Sequence, residues 1–135
     1  MKPVEEVLGS VGFSVMTVRP GDTALAMGLS ELPVVAASHL LHAMESATIA
    51  ALSEHLDNGE TTFLLSTTIE LLASAQVGDE LRANARCSSI DGRELPFQCE
   101  IYQGDRHIAQ AEIKRATVER VTFLARTAAE ELLRN

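Results

Sequence analysis

The chain has 135 residues, of which 46% are hydrophobic and 22% charged, a balance typical of a globular domain and not of a disordered chain. This length is enough to bury a core without disulfides, so one domain over residues 1–135 is predicted. The formal net charge is −8, with no run of Lys and Arg and no Trp, which argues against nucleic acid as a partner. A few arginines are still able to hold a phosphate-bearing ligand.

Location and cofactor use are predicted from the N-terminus and the cysteines. The opening residues MKPVEEVLGSVGF carry acids where a signal peptide needs an apolar core, and no apolar run is long enough to span a bilayer. We therefore expect a cytoplasmic protein with no membrane partner. Cys87 and Cys99 match neither a disulfide framework nor a CxxC pattern, so they are interpreted as core residues and no cofactor is expected.

The first half of the chain predicts a strand and a long helix. Residues 12–18, GFSVMTV, alternate and are followed by Pro20-Gly21-Asp22, which indicates a strand that ends in a turn. From Val34 to Leu56 there is no Gly or Pro, which predicts a helix of about six turns. Its apolar residues lie on nearly all sides, so we expect it to be buried on most sides.

The second half predicts antiparallel strands and a last helix. TTFLLSTTIELLASA is rich in β-branched residues, DELRANARCSS alternates, and HIAQAEIKRATVER forms the last strand before the helical VTFLARTAAEELLRN. A three-residue loop at 90–92 would pair Cys87 with Leu95. The predicted class is α+β, with a long buried central helix wrapped by a curved antiparallel sheet, and a C-terminal helix.

Three segments of the sequence carry a family resemblance. PVVAASHLLHAME, IELLASAQVGDEL and IKRATVERVTF together resemble the fluoroacetyl-CoA thioesterase-like branch of the hotdog superfamily, over most of the chain. The resemblance implies a hotdog fold, a homodimer or dimer of dimers, and a site between subunits for acyl-CoA or another acyl thioester.

The resemblance also implies positions for the site residues. The family's catalytic Glu falls on Glu45, its Thr on Ala37 with Ser38 next to it, and its His on Leu71. The family Arg near the end of the last long strand falls on Arg115. Two of the three catalytic side chains are therefore absent. The leading hypothesis is a short- or medium-chain acyl-CoA thioesterase with Glu45 as base, and the alternative is a binding domain that no longer hydrolyses its ligand.

The middle of the helix holds the residues best suited to catalysis. A carboxylate at Glu45 in a buried helix is expected to act as a general base or nucleophile, and the competing interpretations are that it is solvated or pairs with an Arg of the sheet. Ser38, His42 and Glu45 fall within about 60° of arc on one helix face, which suggests a Ser-His-acid set. Against this, neighbouring turns of one helix rarely aim three side chains at one atom. A role more plausible than the triad is that His42 or His39 replaces the missing strand His in polarising the site, although a lone helix His is more often structural or exposed.

Other candidates concern metal, oxyanion and ligand contacts. The spacing of His39, His42 and Glu45 spreads them over about 120° of the helix, unlike an i, i+4 metal pair, so no metal is expected. Backbone amides of residues 37–40, at the helix start, are candidates to hold the thioester oxygen as it gains charge. A dehydratase-like chemistry is a third hypothesis, but its opposed His and acid are not evident.

Substrate contacts are predicted at both ends of the ligand. Arg115 and Lys114 should point to opposite faces of their strand, and one of them is a candidate to bind the CoA phosphates, with a solvated strand end as the competing interpretation. Leu32 and Leu71, together with Met44, are candidates to line an acyl pocket, although apolar side chains such as these are first of all core residues.

Overall fold

The computed structural model describes residues 1–134 and places its five strands in one antiparallel sheet, in the order β1-β3-β4-β5-β2. The elements in chain order are α1 (Val4–Val7), β1 (Val11–Thr17), α2 (Ala37–Leu52), β2 (Glu60–Leu71), β3 (Glu80–Cys87), β4 (Glu94–Gln103), β5 (Arg106–Glu119) and α3 (Arg120–Leu133). The predicted α+β class, with a central helix, an antiparallel sheet and a C-terminal helix, is confirmed. No helix within residues 1–134 is long and apolar enough to cross a bilayer.

Alternation along the strands creates the core. On β3 the residues Leu81, Ala83, Ala85 and Cys87 are buried, and their neighbours face outward, as the sequence predicts. The buried residues of β3, β4 and β5 meet one face of α2, where Leu40 and Met44 are completely covered. The sheet therefore has an inner face that packs on α2 and an outer face that is mostly polar.

The central helix is shorter and less buried than predicted. It spans 16 residues, because Val34 and Val35 are held extended by isolated bridges to Gln76 and Thr23, and the chain continues as turns after Leu52. The prediction that α2 is buried on most of its sides is wrong for a single chain. The sheet covers only one side of α2, and the opposite side, with residues such as Ile49, is exposed.

The β3–β4 hairpin keeps the predicted faces but not the predicted register. Cys87 pairs with Phe97, two residues beyond the expected Leu95. The turn itself lies between Asp91 and Glu94, whose backbone groups bond each other in both directions, with Gly92 at φ 61° inside it. A shift by two residues leaves every side chain on its predicted face, because the strand period is two.

The helix covers only part of the inner face, and this asymmetry creates the site. It packs mainly on β1 and β3. At Gly12 on β1 the approach is so close that an added Cβ would lie 2.1 Å from the carbonyl oxygen of Ala47. The inner face of β5 and β2 has little helix over it, and its residues Thr62, Thr67 and Ile69 are only half-buried.

Candidate active site

An ion pair joins α2 to β5 at the open side of the helix. Arg115 Nη1 donates a hydrogen bond of 3.0 Å to Glu45 Oε1. Arg115 is on the inner face of β5, and its side chain is 8% exposed, whereas that of Glu45 is 31% exposed. Arg115 therefore holds the carboxylate of Glu45 from the interior of the protein, and the opposite side of the carboxylate remains accessible to solvent.

Thr62 on β2 fixes the guanidinium from a second direction. Arg115 Nε donates to Thr62 Oγ1 at 2.9 Å, and Nη2 donates to the Thr62 backbone oxygen at 3.3 Å. A buried charge that is paired and hydrogen-bonded in this way is locked in position. The sequence interpretation did not identify Thr62. Its inward-facing position on β2, opposite Thr117, is the signal that could have found it.

One oxygen of Glu45 stays available. The contact of its carboxylate with Arg115 uses Oε1, and within residues 1–134 no hydrogen bond is formed to Oε2. On the neighbouring inner face of β2, Thr67 Oγ1 is buried and has no hydrogen-bond partner among these residues. A fixed carboxylate with one free oxygen is able to take a proton from water or to attack an acyl carbon.

The two histidines of the helix lie on its other flank, facing β1. His39 and His42 line a cavity of about 550 Å³ together with Asp22, which we call the histidine cavity. His39 Nδ1 is 3.6 Å from Asp22 Oδ1. The structure therefore places His39 and His42 at the histidine cavity, whereas Glu45 is bonded to β5, and within residues 1–134 neither histidine forms a hydrogen bond to Glu45.

Ser38 takes no part in a Ser-His-acid set in this structure. Its hydroxyl is 3.9 Å from the sulfur of Met27, and it has no hydrogen bond to His42 or Glu45 within residues 1–134. Both Ser38 and His42 are exposed.

The start of α2 offers two free amides. Its N-cap, Ala36, makes no side-chain cap, and its carbonyl accepts from His39 and Leu40. Within residues 1–134 nothing accepts from the amides of Ala37 and Ser38, so the four amides predicted for the oxyanion reduce to two. Ala37 itself is exposed, in agreement with an accessible helix end.

The apolar candidates occupy three different environments. Leu71 is the last residue of β2, opposite Ala109, and is 48% exposed. Leu32 is in the loop before α2 and is 60% exposed. Met44 is completely buried in the core and is therefore not part of an open pocket.

The cysteines and the metal hypothesis are also tested by the geometry. Burial raises the pKa of Cys99 to about 12 and raises that of Cys87, so neither thiol is a ready nucleophile. Cys99 pairs with Ala85, two residues along the sheet from Cys87, and both cysteines are free. Within residues 1–134 no three potential metal ligands come together.

This arrangement of one sheet and one central helix defines a hotdog-fold protein. A hot-dog-like protein from Thermanaerovibrio acidaminovorans is 16% identical and superposes with a TM-score of 0.85 over 93% of this chain and 95% of that one. A Thermus thermophilus hypothetical protein, a thioesterase superfamily member, is 23% identical with a TM-score of 0.86 over all of both chains. The fluoroacetyl-CoA thioesterase FlK is 22% identical with a TM-score of 0.82 over 90% of this chain and 95% of its own.

The family follows from the sequence match. The model of the fluoroacetyl-CoA-specific thioesterase family, FlK, matches residues 18–121, and the chain therefore belongs to this family. No curated protein sequence matches the chain. The resemblance and the hotdog fold predicted from the sequence are both confirmed.

Proposed function

We propose that this protein hydrolyses a short- or medium-chain acyl-CoA thioester, with Glu45 as the catalytic carboxylate. Membership of a thioesterase family supports thioester hydrolysis in general. The observation that carries the specific proposal is the geometry of Glu45, whose Oε1 is held by Arg115 while Oε2 has no partner within residues 1–134. Arg115 positions the carboxylate and does not touch the substrate.

The proposed reaction uses Glu45 as a general base. Its free oxygen takes a proton from a water molecule, whose oxygen attacks the thioester carbonyl carbon. The carbonyl oxygen gains negative charge, and the free backbone amides at the start of helix α2 stabilise this charge. The tetrahedral intermediate then collapses, the C–S bond breaks, and the thiolate takes up the proton that Glu45 received. Direct attack by Glu45, followed by hydrolysis of the anhydride, is the nucleophilic variant of this mechanism.

The distance along the helix supports a site that two chains share. Glu45 comes eight residues after Ala37, which corresponds to roughly 12 Å at the helical rise per residue. This separation is long for one carbonyl group and its attacking water, so we propose that Glu45 of one subunit acts with the Ala37 and Ser38 amides of another. Free sheet edges at β1 and β2 favour self-association, and Leu65 on β2 is 41% exposed.

Two variants test the shared site by complementation. Glu45→Gln removes the base, and Ala37→Pro removes an amide while the helix is retained, because proline is favoured at the first helical position and Ala36 at φ −77° and ψ 148° tolerates a following proline. Each variant alone should be inactive. A mixture refolded together should regain activity, since some dimers then hold one intact site. Light scattering that shows only monomers, or no regain on mixing, would contradict the shared site.

The main test of catalysis is thiol release from a panel of acyl-CoA substrates. Glu45→Gln should reduce turnover by about a hundredfold or more and leave binding of CoA nearly unchanged. Glu54→Gln, an exposed acid just beyond α2, is the matched control and should behave like the parent. Turnover that persists in folded Glu45→Gln would exclude this mechanism.

The alternative is a domain that binds acyl thioesters without hydrolysing them. It is favoured by Ala37 and Leu71, which stand where the family has Thr and His. Absence of thiol release from the parent protein, together with measurable CoA binding, would support this alternative over hydrolysis.

A further inference from the structure

A second cavity lies further along β5 from the ion pair. Its volume is about 520 Å³, and its walls include Arg93 from the β3–β4 turn, Thr117 from β5, and Phe123 and Arg126 from α3. We call it the α3 cavity. No predicted site residue lines it, and the catalytic proposal does not use it.

The acidic residues of the α3 cavity already have partners. The Glu60 carboxylate accepts from the amide of Asp57 at 2.8 Å, and both residues are ion-paired with the N-terminal amine of Met1. Glu119 caps α3 by accepting from the amides of Val121 and Thr122. The carboxylates are therefore engaged within the protein.

The two arginines differ from these acids because their guanidinium groups have no polar partner among residues 1–134. Within residues 1–134 neither the Arg93 nor the Arg126 guanidinium forms a hydrogen bond or an ion pair, and both side chains are exposed. A guanidinium presents several N–H groups in a planar fork that matches phosphate oxygens. Two such groups around one cavity are suited to a ligand with more than one phosphate.

The α3 cavity lies at a suitable distance from Glu45. Thr117 is on the same inner face as Arg115, two residues further along β5, and Glu119 is four residues further, roughly 13 Å at the rise of a strand. The pantetheine arm of CoA has as many backbone bonds as about four peptide residues, and it therefore spans roughly 14 Å when extended. Phosphates attached to a thioester at Glu45 would reach this cavity.

The histidine cavity also contains an arginine, but it is on the wrong flank. Arg19, His39 and His42 line the histidine cavity, which is between α2 and β1. The helix separates this cavity from the side on which Glu45 meets Arg115. Because Arg115 is buried and each of its three side-chain nitrogens donates to Glu45 or Thr62, the phosphate role predicted for it from the sequence is better filled by other arginines.

We propose that Arg93 and Arg126 bind the phosphate groups of the CoA moiety in the α3 cavity. This inference rests on the proposed function for the identity of the ligand. Both arginines are exposed and contact no other charged group of residues 1–134, so their removal should change ligand affinity without changing the fold.

The test compares two substrates that share the thioester but not the phosphates. Arg93→Gln and Arg126→Gln should each raise KM for an acyl-CoA roughly five- to tenfold, the loss expected for one exposed charge-assisted contact. Neither should change KM for the matching acyl-pantetheine, which lacks the nucleotide. Arg19→Gln, in the histidine cavity, is the control and should leave both KM values unchanged.

Three outcomes would overturn this proposal: an unchanged KM for acyl-CoA in both variants, an equal increase for acyl-pantetheine, or an increase with Arg19→Gln instead. If neither substrate is hydrolysed, calorimetry with CoA and pantetheine replaces the rate assay. Loss of CoA affinity in the Arg93 and Arg126 variants would then support the phosphate site although the hydrolase proposal had failed. Unchanged CoA affinity would contradict the phosphate site itself.

Discussion

The ion pair between Glu45 and Arg115 allows a prediction of unequal effects on stability. Glu45→Gln leaves a cation whose side chain is only 8% exposed, whereas Arg115→Met leaves a carboxylate whose side chain is 31% exposed and can be hydrated. Loss of one partner from a fully buried pair costs about 3–5 kcal/mol. Because Glu45 is partly exposed and Thr62 still accepts from Arg115, we expect about 2–3 kcal/mol for Glu45→Gln and about 1–2 kcal/mol for Arg115→Met.

The double variant separates structure from catalysis. With both charges removed, no buried ion is left unpaired, so the loss in the free energy of unfolding should be smaller than the sum of the single losses by about 1–2 kcal/mol. Turnover should not recover, because the base is still missing. For a chain of this size, about 3 °C in Tm corresponds to 1 kcal/mol.

Urea denaturation monitored by circular dichroism measures the free energy of unfolding of the parent, the two single variants and the double variant. Thiol release is measured on the same samples. Strictly additive losses would show that the ion pair does not contribute in solution. Recovery of turnover in the double variant would show that Glu45 acts through stability, and would refute its role as a base.

Three further predictions concern packing, capping and thiol reactivity. Gly12→Ala should destabilise by about 2–3 kcal/mol or more, since its Cβ would lie 2.1 Å from the α2 backbone, whereas Gly21→Ala, with nothing within 4 Å, should be nearly neutral in urea denaturation. Hydrogen bonds from Thr122 hold the pKa of Glu119 below its ordinary value of 4.5. The stabilisation of α3 by Glu119 should therefore be complete above that pH and be lost as the pH falls through the lowered pKa, so the difference in helix circular dichroism between the parent and Glu119→Ala should vanish in acid. Cys99, with its pKa raised to about 12 by burial, should resist a disulfide reagent until the protein unfolds, and rapid reaction of the native protein would contradict its burial.

Much of the fold is predictable from local patterns. The alternation on 81–87 and 95–101 determines which side chains face the core, and this assignment survives an error in the hairpin register. The register depends on where the turn forms. Asp91 and Glu94 close a turn around Gly92 and Arg93, whereas the sequence also permits a three-residue loop at 90–92.

The helix ends were harder to predict because tertiary contacts decide them. Val34 and Val35 have no local signal against helix, but bridges to distant segments hold them extended. The helix α2 is buried on one side only, because the sheet extends over that side alone. The hydrophobic pattern of the helix does not indicate how far the sheet extends. A helix whose second side is covered by another subunit is also expected to carry apolar residues on nearly all sides.

The candidate site was only partly predictable. Glu45 and Arg115 were identified through the family resemblance, but their pairing joins residues 70 positions apart and leaves no trace in local periodicity. The Ser38 and His42 hypothesis used helical geometry alone, and the structure places the histidines on the flank facing β1. Arg93 was overlooked because exposed arginines in turns are common and acquire meaning only next to a cavity.

The most direct test of the proposed function is steady-state thiol release from acyl-CoA substrates by the parent protein, with Glu45→Gln assayed at the same concentration of folded protein. The account predicts turnover by the parent on short or medium acyl chains and about a hundredfold less by the variant, with CoA binding retained by both. Equal rates of thiol release from parent and variant, or CoA binding with no release by the parent, would contradict it.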